Sequence, residues 1–92
     1  MGSELVSGAL RAAYPNPASE VVTLDYVVPQ SGNAELVLYD VLGRRVRQVF
    51  ATARAAGTYS EAIDVTGLTP GLYLARYTVS GEQWVRPLRV VR

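Results

Sequence analysis

The stretch Val21-Val22-Thr23-Leu24-Asp25-Tyr26-Val27-Val28 decides the fold class. Val22, Leu24, Tyr26 and Val28 fall on one side of an extended chain, and Thr23, Asp25 and Val27 fall on the other. Successive side chains of a strand point to opposite faces, so this two-residue period marks a half-buried strand. Pro29-Gln30-Ser31-Gly32-Asn33 follows it with residues that favour turns.

The same pattern recurs downstream. In residues 34–40, Ala34, Leu36 and Leu38 oppose Glu35, Val37 and Tyr39, before a turn at Asp40-Val41-Leu42-Gly43. Residues 45–50 predict a third strand whose apolar face is ambiguous, which leaves room for a bulge. The Ala-rich run 51–56 either extends that strand or forms a loop, being too short for a helix of its own. Residues 57–64 predict a fourth strand through Tyr59, Glu61 and Ile63. Thr66-Gly67 and Pro70-Gly71 signal turns before a fifth strand over 72–79, where apolar residues on both faces predict a central position. Ser80-Gly81-Glu82 predicts a tight hairpin into a last strand over 83–91, and Pro87 places that strand at an edge or bulge.

Upstream, residues 9–13 are mildly apolar and fit a short edge strand. Tyr14-Pro15-Asn16-Pro17 cannot be a helix interior or a central strand, because two prolines remove two N–H donors. No helical period of useful length appears. The expectation is an all-β, Ig-like antiparallel sandwich of about seven strands, with turns every 8–12 residues or so. Its core is expected to contain Leu24, Tyr26, Leu36, Leu38, Ile63, Tyr73 and Tyr77. Residues 9–92 read as one domain, and residues 1–8 as a linker or the remnant of an expression tag.

Composition narrows the function. The nine basic residues are all Arg, and eight acidic residues leave a net charge of +1, which excludes the clustered basic excess of a nucleic-acid binder. There is no Cys and no His, so no thiolate or imidazole is available for nucleophilic or metal chemistry. The carboxylates are scattered, without the convergent polar groups of a glycosidase pair. Asp25, Asp40 and Asp64 lack the close spacing of a calcium loop, although a cation bridging two loops stays open. The expectations are therefore no catalytic residues, no cofactor and no resident metal.

Four segments occur in order: Tyr14-Pro15-Asn16-Pro17, Tyr39-Asp40-Val41-Leu42-Gly43-Arg44, Ala56-Gly57, and Leu68-Thr69-Pro70-Gly71-Leu72-Tyr73. The chain then ends in a basic-apolar strand, Arg86-Pro87-Leu88-Arg89-Val90-Val91-Arg92. This set resembles the type A C-terminal sorting domain of type IX secretion substrates, over about residues 10–92. The resemblance implies a seven-stranded Ig-like sandwich that catalyses nothing. It also implies a job: taking an N-terminal passenger from the periplasm through an outer-membrane translocon to the cell surface, where a sortase removes the domain. The residues it marks as sorting candidates are Tyr14, Pro15, Asn16, Pro17, Asp40, Gly43, Gly57, Gly71, Tyr73, Leu88, Arg89, Val90, Val91 and Arg92. Three features depart from the family pattern. Glu61 stands where an apolar residue is usual, leaving open a register shift that buries Ala62. Pro87 interrupts the last strand, and Arg replaces Lys throughout.

Each feature also has a plainer reading. Asp40 can bond its own backbone and Gly43 can supply a positive φ, so the turn is structural before it is a signal. Tyr14-Pro15-Asn16-Pro17 is a stiff lead into the domain. The six Tyr and Trp84 admit a carbohydrate-binding or structural Ig-like accessory module, but Tyr26, Tyr59, Tyr73 and Tyr77 alternate as core residues do. An edge at the last strand would offer backbone groups to a receptor strand, or to a second copy in a homodimer.

Overall fold

The computed structural model describes residues 9–91 and contains no helix among them. Six strands follow in order: β1 (Val21–Val28), β2 (Gly32–Asp40), β3 (Arg45–Arg54), β4 (Gly57–Asp64), β5 (Gly71–Val79) and β6 (Glu82–Val90). They form two antiparallel sheets, β1-β4 and β3-β2-β5-β6. The sheets pack as a sandwich whose interior takes one side chain in two from most strands.

The alternation read in β1 holds: Val22, Leu24, Tyr26 and Val28 are buried. Ala34, Leu36 and Leu38 of β2 and Tyr73, Ala75, Tyr77 and Val79 of β5 face them from the other sheet, and Ile63 of β4 lies beside Val22. All seven expected core residues are buried. At the centre the Tyr26 ring lies 5.2 Å from Phe50, 5.3 Å from Tyr59 and 5.0 Å from Tyr77. Such aromatic contacts add to the area each ring removes from water. Tyr77 donates to the Val27 carbonyl at 2.8 Å, so its buried hydroxyl is paired.

β3 runs on through the Ala-rich segment to Arg54, and its ambiguous face is explained by two register irregularities against β2. They lie between Leu36 and Val37 and between Leu38 and Tyr39 of β2, opposite Val49 and Val46. β5 is central, as expected, and β6 is an edge strand with Pro87 opposite Leu74. The β5–β6 hairpin turns through Ser80 (φ 54°) and Gly81 (φ 78°). Two positive φ values in a two-residue turn match the twist of the flanking strands.

Two expectations change. First, residues 9–13 do not form a seventh regular strand. The leading segment makes only isolated bridges: Leu10 to Tyr26, Tyr14 to Thr23, and Ala18 to Val90. Pro15 and Pro17, both preceded by cis peptide bonds, cannot donate to a ladder, and between them the segment leaves one sheet for the other. Residues 9–14 cover the outer edge of β1 through Val27 N to Ala9 O (2.8 Å), Arg11 N to Asp25 O (2.9 Å) and a reciprocal Tyr14–Thr23 pair. Residues 16–18 then cover β6. One open side of the sandwich is thereby closed.

Second, no register shift buries Ala62, which is exposed. Glu61 keeps the inward position and is half-buried at the opposite side of the sandwich, 3.9 Å from Arg54 of β3. The Arg54 guanidinium also stacks 4.6 Å from the Phe50 ring centre. Glu61 is tolerated because it sits at the rim, where a cation from the other sheet reaches it. The linker-or-tag reading of residues 1–8 and the candidate Arg92 lie outside the described residues.

Candidate functional site

The strand order carries most of the marked segments to one end. β2 finishes there at Asp40, opposite Tyr73 near the start of β5, and Gly71 pairs with Val90 at the finish of β6. β1 starts and β4 finishes at the same end, with Val21 opposite Asp64. Gly57 is the exception: it opposes Val28 at the far end and leads into β4.

The Asp40 turn is rigid for local reasons. One carboxylate oxygen accepts from Leu42 N and Arg44 N, both at 2.9 Å, and the other accepts from Arg44 Nε at 2.8 Å. Gly43 has φ 82°, a conformation that costs a residue with a Cβ, and donates to the Asp40 carbonyl at 3.0 Å. The Arg44 backbone bond, chiefly, holds the Asp40 carboxyl below its usual pKa, with the Arg44 side chain and the Leu42 amide adding to it. The turn thus presents Val41 (64% exposed) and Leu42 (73%) as bare aliphatic side chains.

Beside it, Tyr73 donates its hydroxyl to the Thr69 carbonyl and ties the β4–β5 loop to β5. The same loop is held by Asp64, which accepts from Thr66 N at 2.9 Å and Thr66 Oγ1 at 2.6 Å. Those bonds, the hydroxyl first, lower the Asp64 pKa. Between the turn and Pro70-Gly71-Leu72 lies an open concavity of about 440 Å³.

The last strand is less available than the sequence suggests. Leu88 and Val90 are core residues. Arg89 N donates to the Asn16 side-chain oxygen at 3.0 Å, and Asn16 Nδ2 donates to the Pro87 carbonyl at 3.1 Å. Ala18 N donates to the Arg89 carbonyl at 2.8 Å, and Val91 N to the Ala18 carbonyl at 2.9 Å. Asn16 and Ala18 therefore occupy the outer backbone groups over the C-terminal half of β6. Among the described residues, alternation along the strand leaves the outward backbone groups of Gln83 and the Val85 N–H as its free edge, the Val85 carbonyl accepting from Arg86 Nη1 at 3.0 Å. Sequence reasoning marked Asn16 for the motif but could not see that its amide clasps a strand 71 residues away.

The other candidate chemistries find their groups engaged elsewhere. Asp25 accepts from Tyr14 Oη at 3.0 Å and Ser60 Oγ at 2.6 Å on the outer face of the β1-β4 sheet. Among the described residues, no three His, Cys, Asp or Glu gather as a metal site. Tyr26, Tyr73 and Tyr77 are buried, Tyr59 is half-buried, and Trp84 packs on the core 6.0 Å from the Tyr77 ring. These five aromatic residues build or cover the core, while Tyr14 and Tyr39 lie outside it.

No curated protein matches this sequence. A family model does match, over residues 12–90, and its description is secretion system C-terminal sorting domain. The matched region starts in the segment that closes β1 and ends on Val90, the last residue of β6, so it covers the sandwich as a whole. The chain belongs to the family of C-terminal sorting domains of type IX secretion.

Proposed function

We propose that this chain is a non-catalytic, detachable signal. It carries an N-terminal passenger across the outer membrane to the cell surface, and the end of the sandwich holding the Asp40 turn and the finish of β6 is what the translocon reads. Transit passes through the periplasm, and a cell-surface sortase removes the domain. What supports this reading is the convergence of Asn16, Asp40, Gly43, Gly71, Tyr73 and the residues Leu88 to Val91 on one end, in a chain of this family. A signal read by a machine needs a fixed presentation. The bonds of Asp40, Tyr73 and Asn16 give each loop at that end a single geometry.

The structure changes how the last strand would act. Adding a receptor strand along Leu88, Arg89, Val90 and Val91 requires displacing Asn16 and Ala18 first. Deleting the last five residues would also remove buried Leu88 and Val90, so such a deletion tests folding as much as recognition. The cleaner experiment fuses the chain behind a fluorescent passenger in a host with this secretion system and compares it with the unfused passenger. The fusion should deliver fluorescence to the surface and lose the domain there. Retention of both in the periplasm would refute the sorting role.

A further inference from the structure

The two sheets differ on their outer faces. The outer face of the β1-β4 sheet is mixed, with Thr23, Asp25, Thr58, Ser60 and Asp64 among Val21, Val27 and Ala62, and among the described residues it carries no arginine. The four-stranded sheet breaks that pattern. Its register places Arg45, Tyr39, Leu74 and Pro87 in one outward row, and Gln48, Val37, Arg76 and Val85 in the next. Leu72 and Arg89 pair at the end nearest the Asp40 turn. Val85 is 44% exposed, and Tyr39, Leu72 and Leu74 are half-buried with no other layer over them among the described residues. Tyr39, Leu74, Arg76 and Val85 line a shallow depression of about 230 Å³ beside Gly43. Arg76 is fixed in it, its guanidinium 4.5 Å from the Tyr39 ring centre and donating to the Tyr39 hydroxyl.

The charge around the apolar residues of this face is positive. Arg45, Arg76 and Arg89 stand among the apolar residues, and the acidic residue of the face, Glu35, lies at the opposite end beside Thr78. An aliphatic centre set with arginines is the composition of a protein interface, where Arg is enriched and Lys is depleted. A second copy of the chain is a poor occupant, because stacking this face on itself would set arginines against arginines. A bilayer is also a poor fit, since Tyr39, Leu72 and Leu74 are half-buried in the sheet face and do not project as an apolar wedge.

We infer that the outer face of the β3-β2-β5-β6 sheet is a docking surface for a partner protein whose matching face is apolar at its centre and carries carboxylates opposite Arg45, Arg76 and Arg89. The inference rests on the sorting reading and assigns this surface to a protein of the export route. Leu74, Val85 and the Tyr39–Arg76 pair are its anchors, and the exposed arginines set orientation through charge-assisted bonds.

The test uses the passenger fusion with two variants, Leu74→Thr/Val85→Thr and Arg45→Glu/Arg89→Glu. All four side chains face outward, so each purified variant should keep a cooperative melt. Both should lower surface delivery by about tenfold or more, as loss of interface anchors does. If the unchanged fusion is not delivered, the sorting reading itself fails. If the unchanged fusion and both folded variants are delivered equally, sorting stands and the docking face is refuted. Should Thr substitution destabilise the fold, Leu74→Met/Val85→Ile, which keeps the face apolar, should deliver as well as the unchanged fusion; failure there despite a native melt would also count against the inference. A concentration-dependent dimer abolished by Leu74→Thr/Val85→Thr, or binding to vesicles of anionic lipid through the same residues, would overturn the choice of partner.

Discussion

Replacing Asn16 by Ala isolates the clasp between the leading segment and the last strand. The substitution removes the 3.1 Å bond to the Pro87 carbonyl and the 3.0 Å bond from Arg89 N. A typical intramolecular hydrogen bond contributes about 0.5–1.5 kcal/mol net, and both freed backbone groups lie at an exposed edge where water can replace the side chain. The low half of the range therefore applies, and Asn16→Ala should cost about 1–2 kcal/mol. For a chain of this size that lowers the melting midpoint by roughly 4–16 °C. Asn16→Asp keeps an acceptor for Arg89 N but loses the donor to Pro87, so its cost should be larger than half only through repulsion between carboxylate and carbonyl. Urea unfolding followed by Trp84 fluorescence gives the free energies, since Trp84 packs on the core. Hydrogen exchange gives the local readout: the Arg89 amide should lose protection in Asn16→Ala and keep it in Asn16→Asp. An Arg89 amide equally protected in both variants and the parent would show that the clasp is not what holds β6.

Four further outcomes follow from the same contacts. Leu38→Ala deletes a fully buried side chain and should cost about 2–5 kcal/mol, read as a lower denaturation midpoint at constant slope. Tyr26→Phe should be neutral or stabilising by up to about 1–3 kcal/mol, because the Tyr26 hydroxyl is buried with no hydrogen-bond partner among the described residues. Asp40 and Asp64 have lowered pKa values in the fold, so they bind fewer protons folded than unfolded as the pH falls below the ordinary carboxylate range near about 4. Their contribution is present above that range and is lost as the pH drops through the folded values; Asp40→Asn should flatten this acid limb of the stability curve. At the alkaline end, burial pushes the Tyr77 hydroxyl up to about 12, and the folded state retains a proton that the unfolded chain loses near about 10. Stability is therefore full below that pH and falls across this window, which ultraviolet tyrosine titration alongside unfolding will follow.

Local pattern determined much of this protein. The alternation in residues 21–28 and 72–79, the turn chemistry of Asp40 with Gly43, and Ser80 with Gly81 are properties of neighbouring residues, and each kept its expected form. The edge position of β6 was legible from Pro87 because a missing N–H acts locally. The ordered segments likewise carried the family before any geometry. What the sequence could not contain was long-range pairing. A bulge in β3 was open from its ambiguous face, but its doubling and placement at Val46 and Val49, the pairing of Glu61 with Arg54, and the hold of Asn16 on Pro87 and Arg89 each depend on which strands lie side by side. The outer face of the four-stranded sheet is the same kind of fact. Leu72 and Leu74 read from sequence as marks of a central strand, and they are. Only tertiary structure shows that, among the described residues, the second layer covers one face of that strand and leaves the other, with its arginines, open.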